Sequence, residues 1–137
     1  MKIAAVDLGD VRTGLAFSDL TGFIAGRAVT ITANSRAELI EKICGELKAE
    51  KAEKVVVGLP LNMDGSEGDR AQKARAFAQL LGEACALPIV MWDERGTSVT
   101  ANRLLSDAGK KKGKQRQKVD AVAASIILQS YLDSNPR

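Results

Sequence analysis

Short apolar runs mark the strands that we predict for this chain. Residues 2–7 contain one such run, and residues 55–57 form another that has no polar side chain. Runs of this kind are typical of strands that are buried on both faces of a sheet. Three weaker patterns bring the predicted number of strands to five: residues 13–18, the region around 27–32, and residues 89–92.

Apolar residues at helical spacing lie between these strands. The first set follows Ser35 and Glu38, whose spacing is that of a capping box in which Glu38 reaches back to the Ser35 amide. Three further sets predict helices at the following positions: residues 74–85, a segment from Thr97 or Ser98 to Gly109, and residues 119–132.

The predicted order of elements is β-β-β-α-β-α-β-α-α. Strands separated by helices pair in parallel, whereas the first three strands form an antiparallel meander. We therefore predict an α/β fold with a five-stranded mixed sheet flanked by helices, in a single domain over residues 1–137. Ligands of such sheets bind beyond the carboxyl ends of the strands.

Acidic residues stand at the ends of three separate apolar segments. Asp7 ends the first strand, Asp93 and Glu94 follow the last strand, and Asp120 opens the final helix. Carboxylates gathered at one edge of a sheet repel one another unless a cation lies between them. The arrangement therefore predicts a divalent-metal site and phosphate chemistry.

The sequence leaves alternatives open for Asp93, Glu94 and Asp120. Neighbouring side chains on a strand point to opposite faces, so only one of Asp93 and Glu94 enters the site cleanly, and we favour Glu94. Both acids enter it if the strand ends between them. Stabilisation of the helix N-terminus is an alternative role for Asp120.

Two loops beside these acids have the composition of phosphate-binding segments. Residues 7–14 combine a carboxylate, a flexible turn and the guanidinium of Arg12; an ordinary Asp-Gly turn is the alternative. Residues 58–68 (GLPLNMDGSEG) contain three glycines whose backbone amides can approach an anion. An extended loop that caps a helix is the alternative for the second segment.

Charge is distributed unevenly along the chain. The formal net charge is +3, yet residues 110–118 (KKKGKQRQK) carry six positive charges and no negative charge. The rest of the chain therefore has a net charge of −3. A basic segment joined to an acidic remainder favours binding of a polyanion; the alternative is a solvated, mobile loop.

The composition also excludes several kinds of site. The chain has no histidine, which excludes imidazole zinc sites, Ser-His-Asp triads and histidine general bases. Its two cysteines, Cys44 and Cys85, lie in helical apolar patterns and are predicted to be reduced core residues. Without a signal peptide or an apolar run of about 20 residues, the chain is predicted to be cytoplasmic and without a membrane segment.

Four blocks of sequence resemble the YqgF family, and together they extend over essentially the whole chain. The blocks are D-x-G-x-x-R-x-G at 7–14, GLPLNMDGSEG at 58–68, Asp-Glu-Arg at 93–95 with Thr97 and Ser98, and Lys-Val-Asp at 118–120. Members of that family are described as pre-16S rRNA nucleases and as Holliday junction resolvases. Gly96 is a local difference, because a bulkier residue is expected after Asp-Glu-Arg.

The resemblance implies an RNase H-like fold related to RuvC-type resolvases, with acidic residues that bind Mg²⁺ or Mn²⁺. The catalytic acids would be Asp7, Glu94 (or Asp93) and Asp120. In a two-metal site with ions about 3.5–4 Å apart, Asp7 would bridge them, while Glu94 and Asp120 would complete their shells. Contacts to the substrate are predicted at seven residues: Arg12, Asn62, Asp64, Gly65, Arg95, Lys114 and Lys118.

The predicted activity is hydrolysis of phosphodiesters in structured RNA, with 5′-end processing of pre-16S rRNA in ribosome biogenesis as the implied role. The chain has few aromatic residues to stack on bases, so recognition of backbone and shape is expected, with the pre-ribosomal particle as a partner. Two alternatives are a Holliday junction resolvase and a non-catalytic rRNA-binding assembly factor. A resolvase needs a homodimer to cut two strands symmetrically, whereas the nuclease needs only a monomer.

Overall fold

A computed structural model describes residues 1–97 and 115–134 of the chain. Its five strands form one mixed sheet in the order β3-β2-β1-β4-β5, which confirms the predicted architecture. The first three strands are antiparallel neighbours, and β1, β4 and β5 run parallel. The strands are β1 (Ile3–Asp7), β2 (Arg12–Ser18), β3 (Ala25–Thr32), β4 (Lys54–Leu59) and β5 (Ile89–Asp93).

Three helices of the described residues cover the two faces of the sheet. They are α1 (Arg36–Glu50), α2 (Asp69–Cys85) and α3 (Gln115–Ser134), and a single 3₁₀ turn, Glu94–Thr97, follows β5. The predicted helix from residue 97 or 98 to Gly109 lies outside the described residues. None of the helices in the described ranges is long and apolar enough to cross a membrane.

The alternation of side chains along β1 divides the core into two layers. Ala4 and Val6 face one side, where they pack with residues of α1 and α2. Ile3 and Ala5 face the other side, where they pack with residues of α3. All four side chains are buried, as the continuous apolar run predicted. The carboxyl ends of β1, β4 and β5 meet at one edge between the two layers.

Helix α1 begins as predicted, with one local correction. Ser35 is its N-cap, and its hydroxyl accepts a hydrogen bond from the Glu38 amide at 3.1 Å. The Glu38 carboxylate, however, accepts from the amide of Asn34 at 3.1 Å and not from that of Ser35. The capping interaction therefore reaches one residue further back than the sequence pattern suggested.

Helix α3 begins earlier than the apolar pattern indicated. It starts at Gln115, four residues before the predicted start at 119, so Asp120 lies in its second turn. The stabilising effect of an acidic residue on a helix N-terminus falls off within the first turn. That alternative role for Asp120 is accordingly weak.

The two cysteines are free thiols in the half-buried part of the α1–α2 layer. Burial raises the pKa of the Cys44 thiol, and the neighbouring Cys85 thiol adds to the effect. Both side chains pack against the core, as predicted.

Candidate active site

Asp7 lies between two glycines at the carboxyl edge of the sheet. In the antiparallel pair of β1 and β2 it stands opposite Gly14. On its other side Val6 pairs with Val57 of β4, so the next residues along, Asp7 and Gly58, are also neighbours. Neither adjacent strand therefore places a side chain beside the Asp7 carboxylate, which leaves room there for a second charged group.

Glu94 occupies the space above Gly58. It is the first residue of the 3₁₀ turn, two positions beyond Trp92, which pairs with Gly58. A methyl group added at Gly58 would lie 2.9 Å from Cδ of Glu94 and 2.8 Å from Cδ1 of Ile127. Contacts this short do not persist, so a side chain at this position would displace Glu94 or Ile127.

The carboxyl groups of Asp7 and Glu94 interact directly. Burial raises the pKa of Glu94 to about 7; the charge of Asp7 and a hydrogen bond to it act in the same direction. The charge of Arg70 opposes these effects. Two carboxyl groups in this situation are stabilised by a shared proton or by a cation, so the donor set fits a divalent metal ion.

Asp93 has a different environment from Glu94. It forms an ion pair with Arg95, whose Nη2 lies 2.8 Å from Oδ2 of Asp93, and it accepts the backbone N–H of Arg95 at 2.9 Å. These hydrogen bonds hold the pKa of Asp93 below its ordinary value. The structure thus brings Glu94 to Asp7 and directs Asp93 to Arg95, as the alternation of faces along a strand requires.

The segment 60–68 is a compact turn built on its own polar groups. Oδ1 of Asp64 accepts from the amide and the hydroxyl of Ser66, at 2.9 and 2.6 Å, and these bonds lower the pKa of Asp64. Asn62 donates to the Ser66 hydroxyl at 3.0 Å. Gly65 has a positive φ of 89°, which glycine adopts without strain. Asn62 and Asp64 therefore shape the loop, and their predicted contacts to substrate stay predictions.

Arg95 connects this loop to the end of β5. Its Nη1 donates to the Met63 carbonyl at 3.4 Å. A methyl group added at Gly65 would lie 3.2 Å from the same nitrogen, so the loop and the guanidinium are in close contact. Arg95 was predicted to bind substrate; in the structure it pairs with Asp93 and touches the loop.

The turn between β1 and β2 also depends on a glycine. A methyl group at Gly9 would collide with the backbone carbonyl of Arg12. Gly9 thus lets the chain fold back tightly, and Arg12, as the first residue of β2, stands near the end of β1. The predicted role of Arg12 in binding phosphate stays a prediction.

The remaining predicted site residues lie outside what the structure describes in full. Asp120 and Lys118 belong to α3, but only their backbone is described, and Lys114 lies outside the described residues. Among the side chains that the structure describes, no group of three acidic or cysteine residues is placed to hold a metal ion. Of the predicted acids whose side chains are described, Asp7 and Glu94 are the two that the structure brings together.

Two features of the site were missed by sequence reasoning. The sequence does not predict that Gly58 leaves room for Glu94. It also does not predict that the charge of Arg70 acts on Glu94. Neither relation has a local sequence signal, because each depends on contacts between separate elements.

A family model described as "RuvX: Holliday junction resolvase" matches residues 1–134 of the chain. The chain belongs to the RuvX family. This membership confirms the family resemblance that was inferred from the four blocks of sequence. A relative from Pelotomaculum thermopropionicum, named "Putative pre-16S rRNA nuclease", is 44% identical over 138 residues, covering 100% of this chain and 90% of that protein.

Solved structures show the same fold at much lower identity. RuvC from Thermus thermophilus superposes with a TM-score of 0.63 at 13% identity, covering 97% of this chain and 96% of that one. Another structure of that RuvC is a complex with a Holliday junction substrate. The fowlpox virus Holliday junction resolvase gives a TM-score of 0.58 at 14% identity and covers 98% of this RuvX family member and 100% of the viral chain. The RNase H-like fold is thereby confirmed.

Proposed function

We propose that the protein is a metal-dependent nuclease that hydrolyses phosphodiesters in structured RNA, with the 5′ end of pre-16S rRNA as its substrate. The observation that carries the proposal is the direct interaction of the Asp7 and Glu94 carboxyl groups at the carboxyl edge of the sheet, where Glu94 lies over Gly58. The choice of RNA rests on the relative named as a pre-16S rRNA nuclease. The proposed location is the cytoplasm, and the proposed partner is a pre-ribosomal particle.

We assign the metal-binding roles to Asp7, Glu94 and Asp120, and the ion to Mg²⁺ or Mn²⁺. Carboxylate oxygens are the ligands that both ions prefer. Asp120 is assigned because position 120 lies one helical turn before Ala124 and two before Ile127, which pack against the face of the sheet next to Asp7. When bound, the ion supplies positive charge that stabilises the transition state of phosphodiester hydrolysis.

The other residues of the site would bind and orient the substrate. Arg12 is placed near the end of β1, where its guanidinium can hold two oxygens of the scissile phosphate. Lys114 and Lys118 of the basic segment would contact the flanking backbone, so binding should weaken steeply as salt rises. Arg95 would orient the loop 60–68 toward the substrate through its bonds to Asp93 and Met63.

The aromatic residues favour recognition by shape and backbone over stacking on bases. Phe17, Phe77 and Tyr131 are buried, and Trp92 packs edge-on against Tyr131 with ring centroids 5.3 Å apart. Phe23 is the exception, since it is 53% exposed at the turn between β2 and β3. A single exposed ring does not make a platform for successive bases.

Cleavage of four-way DNA junctions is the second candidate function. It is favoured by the description of the family model and by the RuvC fold. The same acids would serve both reactions, and the difference lies in the substrate and in assembly. A resolvase would act as a homodimer and cut two strands symmetrically.

The test uses purified protein and a 5′-extended pre-16S rRNA fragment, incubated with Mg²⁺, Mn²⁺ or EDTA, beside a four-way DNA junction. We expect discrete RNA cleavage that needs the metal and is abolished by Asp7→Asn. Asp133→Asn, an exposed change at the far end of α3, is the matched control and should cleave like the wild type. Symmetric cleavage of the junction alone would support the resolvase, and binding without any cleavage would contradict both enzymes.

A further inference from the structure

Three basic side chains line a small groove at the carboxyl edge of the sheet. Arg36 is the first residue of α1, while Arg70 and Lys73 lie in the first turns of α2. Gly9, Gly58 and Pro60 also line this groove. Asp10 is the one carboxylate among its lining residues, so the groove has a net charge of +2.

Arg36 is held in this position by packing. Its guanidinium lies over the ring of Phe77 at 5.5 Å from the centroid, and Phe77 is buried in the core. A cation held against an aromatic face keeps its N–H groups available at the rim of the ring. Among the side chains that the structure describes, those of residues 1–95 and 121–134, no carboxylate forms an ion pair with Arg36, Arg70 or Lys73.

The next basic residue of α2 provides a contrast. Arg75 forms two hydrogen bonds with the Glu67 carboxylate, at 2.6 and 2.8 Å, and these raise the pKa of Arg75. Its charge is already matched by that carboxylate. Residues 70, 73 and 75 therefore look alike in sequence, but only Arg70 and Lys73 line the groove.

The groove lies next to the acid pair. Gly58 lines the groove and is also in contact with the side chain of Glu94. Arg70 is close enough to Glu94 for its charge to lower the pKa of that carboxyl group. The groove faces the amino-terminal ends of α1 and α2, and the positive ends of helix dipoles add to its attraction for anions.

We propose that Arg36, Arg70 and Lys73 form a phosphate-binding groove that holds the backbone of the nucleic-acid substrate next to the phosphate at the acid pair. The inference rests on the proposed nuclease function and specifies where its substrate runs: from the sheet edge toward the amino-terminal ends of α1 and α2. Guanidinium and ammonium groups at successive positions suit the repeating phosphates of a nucleic acid strand.

The test is the salt dependence of binding, measured in EDTA so that no cleavage takes place. The probe is the 5′-extended pre-16S rRNA fragment, titrated at several salt concentrations between about 50 and 200 mM. The triple variant Arg36→Gln, Arg70→Gln, Lys73→Gln should reduce the slope of log K against log salt by about 2 to 3, since each lost phosphate contact removes about 0.7–0.9. Arg75→Gln is the matched control and should keep the wild-type slope.

A charge-preserving variant separates a binding role from a structural one. Arg36→Lys, Arg70→Lys, Lys73→Arg should keep the wild-type slope, because it retains all three charges. An unchanged slope in the glutamine variant, or a wild type that binds no RNA in EDTA, would overturn the groove. If the slope falls as expected but the wild type never cleaves RNA with metal, the groove stands and the nuclease function fails.

Discussion

At the scale of single residues, two glycines decide what the acids of the site can do. Gly14 and Gly58 flank Asp7 on the neighbouring strands, and a side chain at either position would project beside its carboxylate. Gly58 has the sharper requirement, because it is in contact with Glu94 and Ile127. The segments 7–14 and 58–68 thus have the same effect, because the glycine of each leaves space around the Asp7 carboxylate.

Gly58→Ala should separate the two acids while the protein stays folded. The added methyl group would displace Glu94, Ile127 or both, and a displacement of about 1 Å in a catalytic group can reduce the rate about a hundredfold. We expect RNA cleavage to fall by at least about tenfold with an unchanged far-UV circular dichroism spectrum. Gly45→Ala is the control: it lies in open space in α1 and should leave cleavage intact while adding about 0.5–1 kcal/mol of stability.

Glu94→Gln should make the metal-free protein more stable at alkaline pH. The pKa of Glu94 is about 7 in the folded protein against an ordinary value of 4.5, so the folded state holds this proton more tightly than the unfolded state. The wild-type protein therefore loses stability as pH rises from about 4.5 to about 7, because Glu94 ionises more readily in the unfolded state. Glutamine does not ionise, so the variant should gain about 3 kcal/mol over the wild type at pH 8 and little at pH 5.

This effect can be followed by urea unfolding in EDTA, using the fluorescence of Trp92, the one tryptophan of the chain. Exposed Glu53→Gln, at the opposite end of β4, is the comparison and should follow the wild type at both pH values. A gain of the same size at pH 5 and pH 8 would show that ionisation of Glu94 does not destabilise the folded protein.

At the scale of elements, the end of β5 assigns different roles to two adjacent acids. Val90 and Trp92 pack on the α3 side of the sheet, whereas Ile89 and Met91 pack on the α1–α2 side. Continuing this alternation, Asp93 and Glu94 are directed to opposite sides, and the 3₁₀ turn brings Glu94 over Gly58. At the end of β5, Glu94 is therefore directed to Asp7 and Asp93 to Arg95.

Asp93→Asn should be far milder than Glu94→Gln. Asparagine can still accept the backbone N–H of Arg95 at the start of the 3₁₀ turn. Only the charge of the ion pair is lost. Exposed ion pairs contribute about 0–1 kcal/mol, so we expect cleavage within about tenfold of wild type. Glu94→Gln should abolish cleavage under the same conditions. Equal losses in the two variants would contradict the separate roles.

The element pattern explains which parts of the site were predictable from sequence. Asp7 and Glu94 were predictable because each follows a strand whose hydrophobic pattern is clear, and parallel strands end at one edge. The preference for Glu94 over Asp93 followed from strand alternation, and the described contacts agree with it. The start of α3 was missed because Gln115 to Lys118 are polar and carry no apolar period.

Contacts between separate elements could not be predicted from the sequence. Arg36 appeared only as the residue after a helix cap, and its place in the groove depends on the packing of α1 against Phe77 of α2. In the same way, the hydrogen bonds by which Asn62 and Asp64 close their own loop could not be predicted from the sequence. Local composition identifies polar groups but not the partners that satisfy them.

At the scale of the whole molecule, the site lies where all layers meet. Asp7 comes from the centre of the sheet, Glu94 from the turn after its edge strand, and Ile127 of α3 closes over Gly58. A group that binds here contacts elements from both ends of the chain and binds only the folded state. Binding at such a site should therefore stabilise the entire fold and not one loop.

Divalent metal should raise the free energy of unfolding of the wild type, and this gain should depend on the acid pair. At a free metal concentration of about 100 times the dissociation constant, mass action predicts a gain of about 2.7 kcal/mol. Thermal unfolding with Mn²⁺ and with EDTA measures it, and Mn²⁺ should give no comparable gain in Asp7→Asn or Glu94→Gln. The Asp133→Asn control should respond like the wild type. A gain of the same size in all four proteins would place the bound metal elsewhere, and no gain in the wild type would remove the metal from the proposed site.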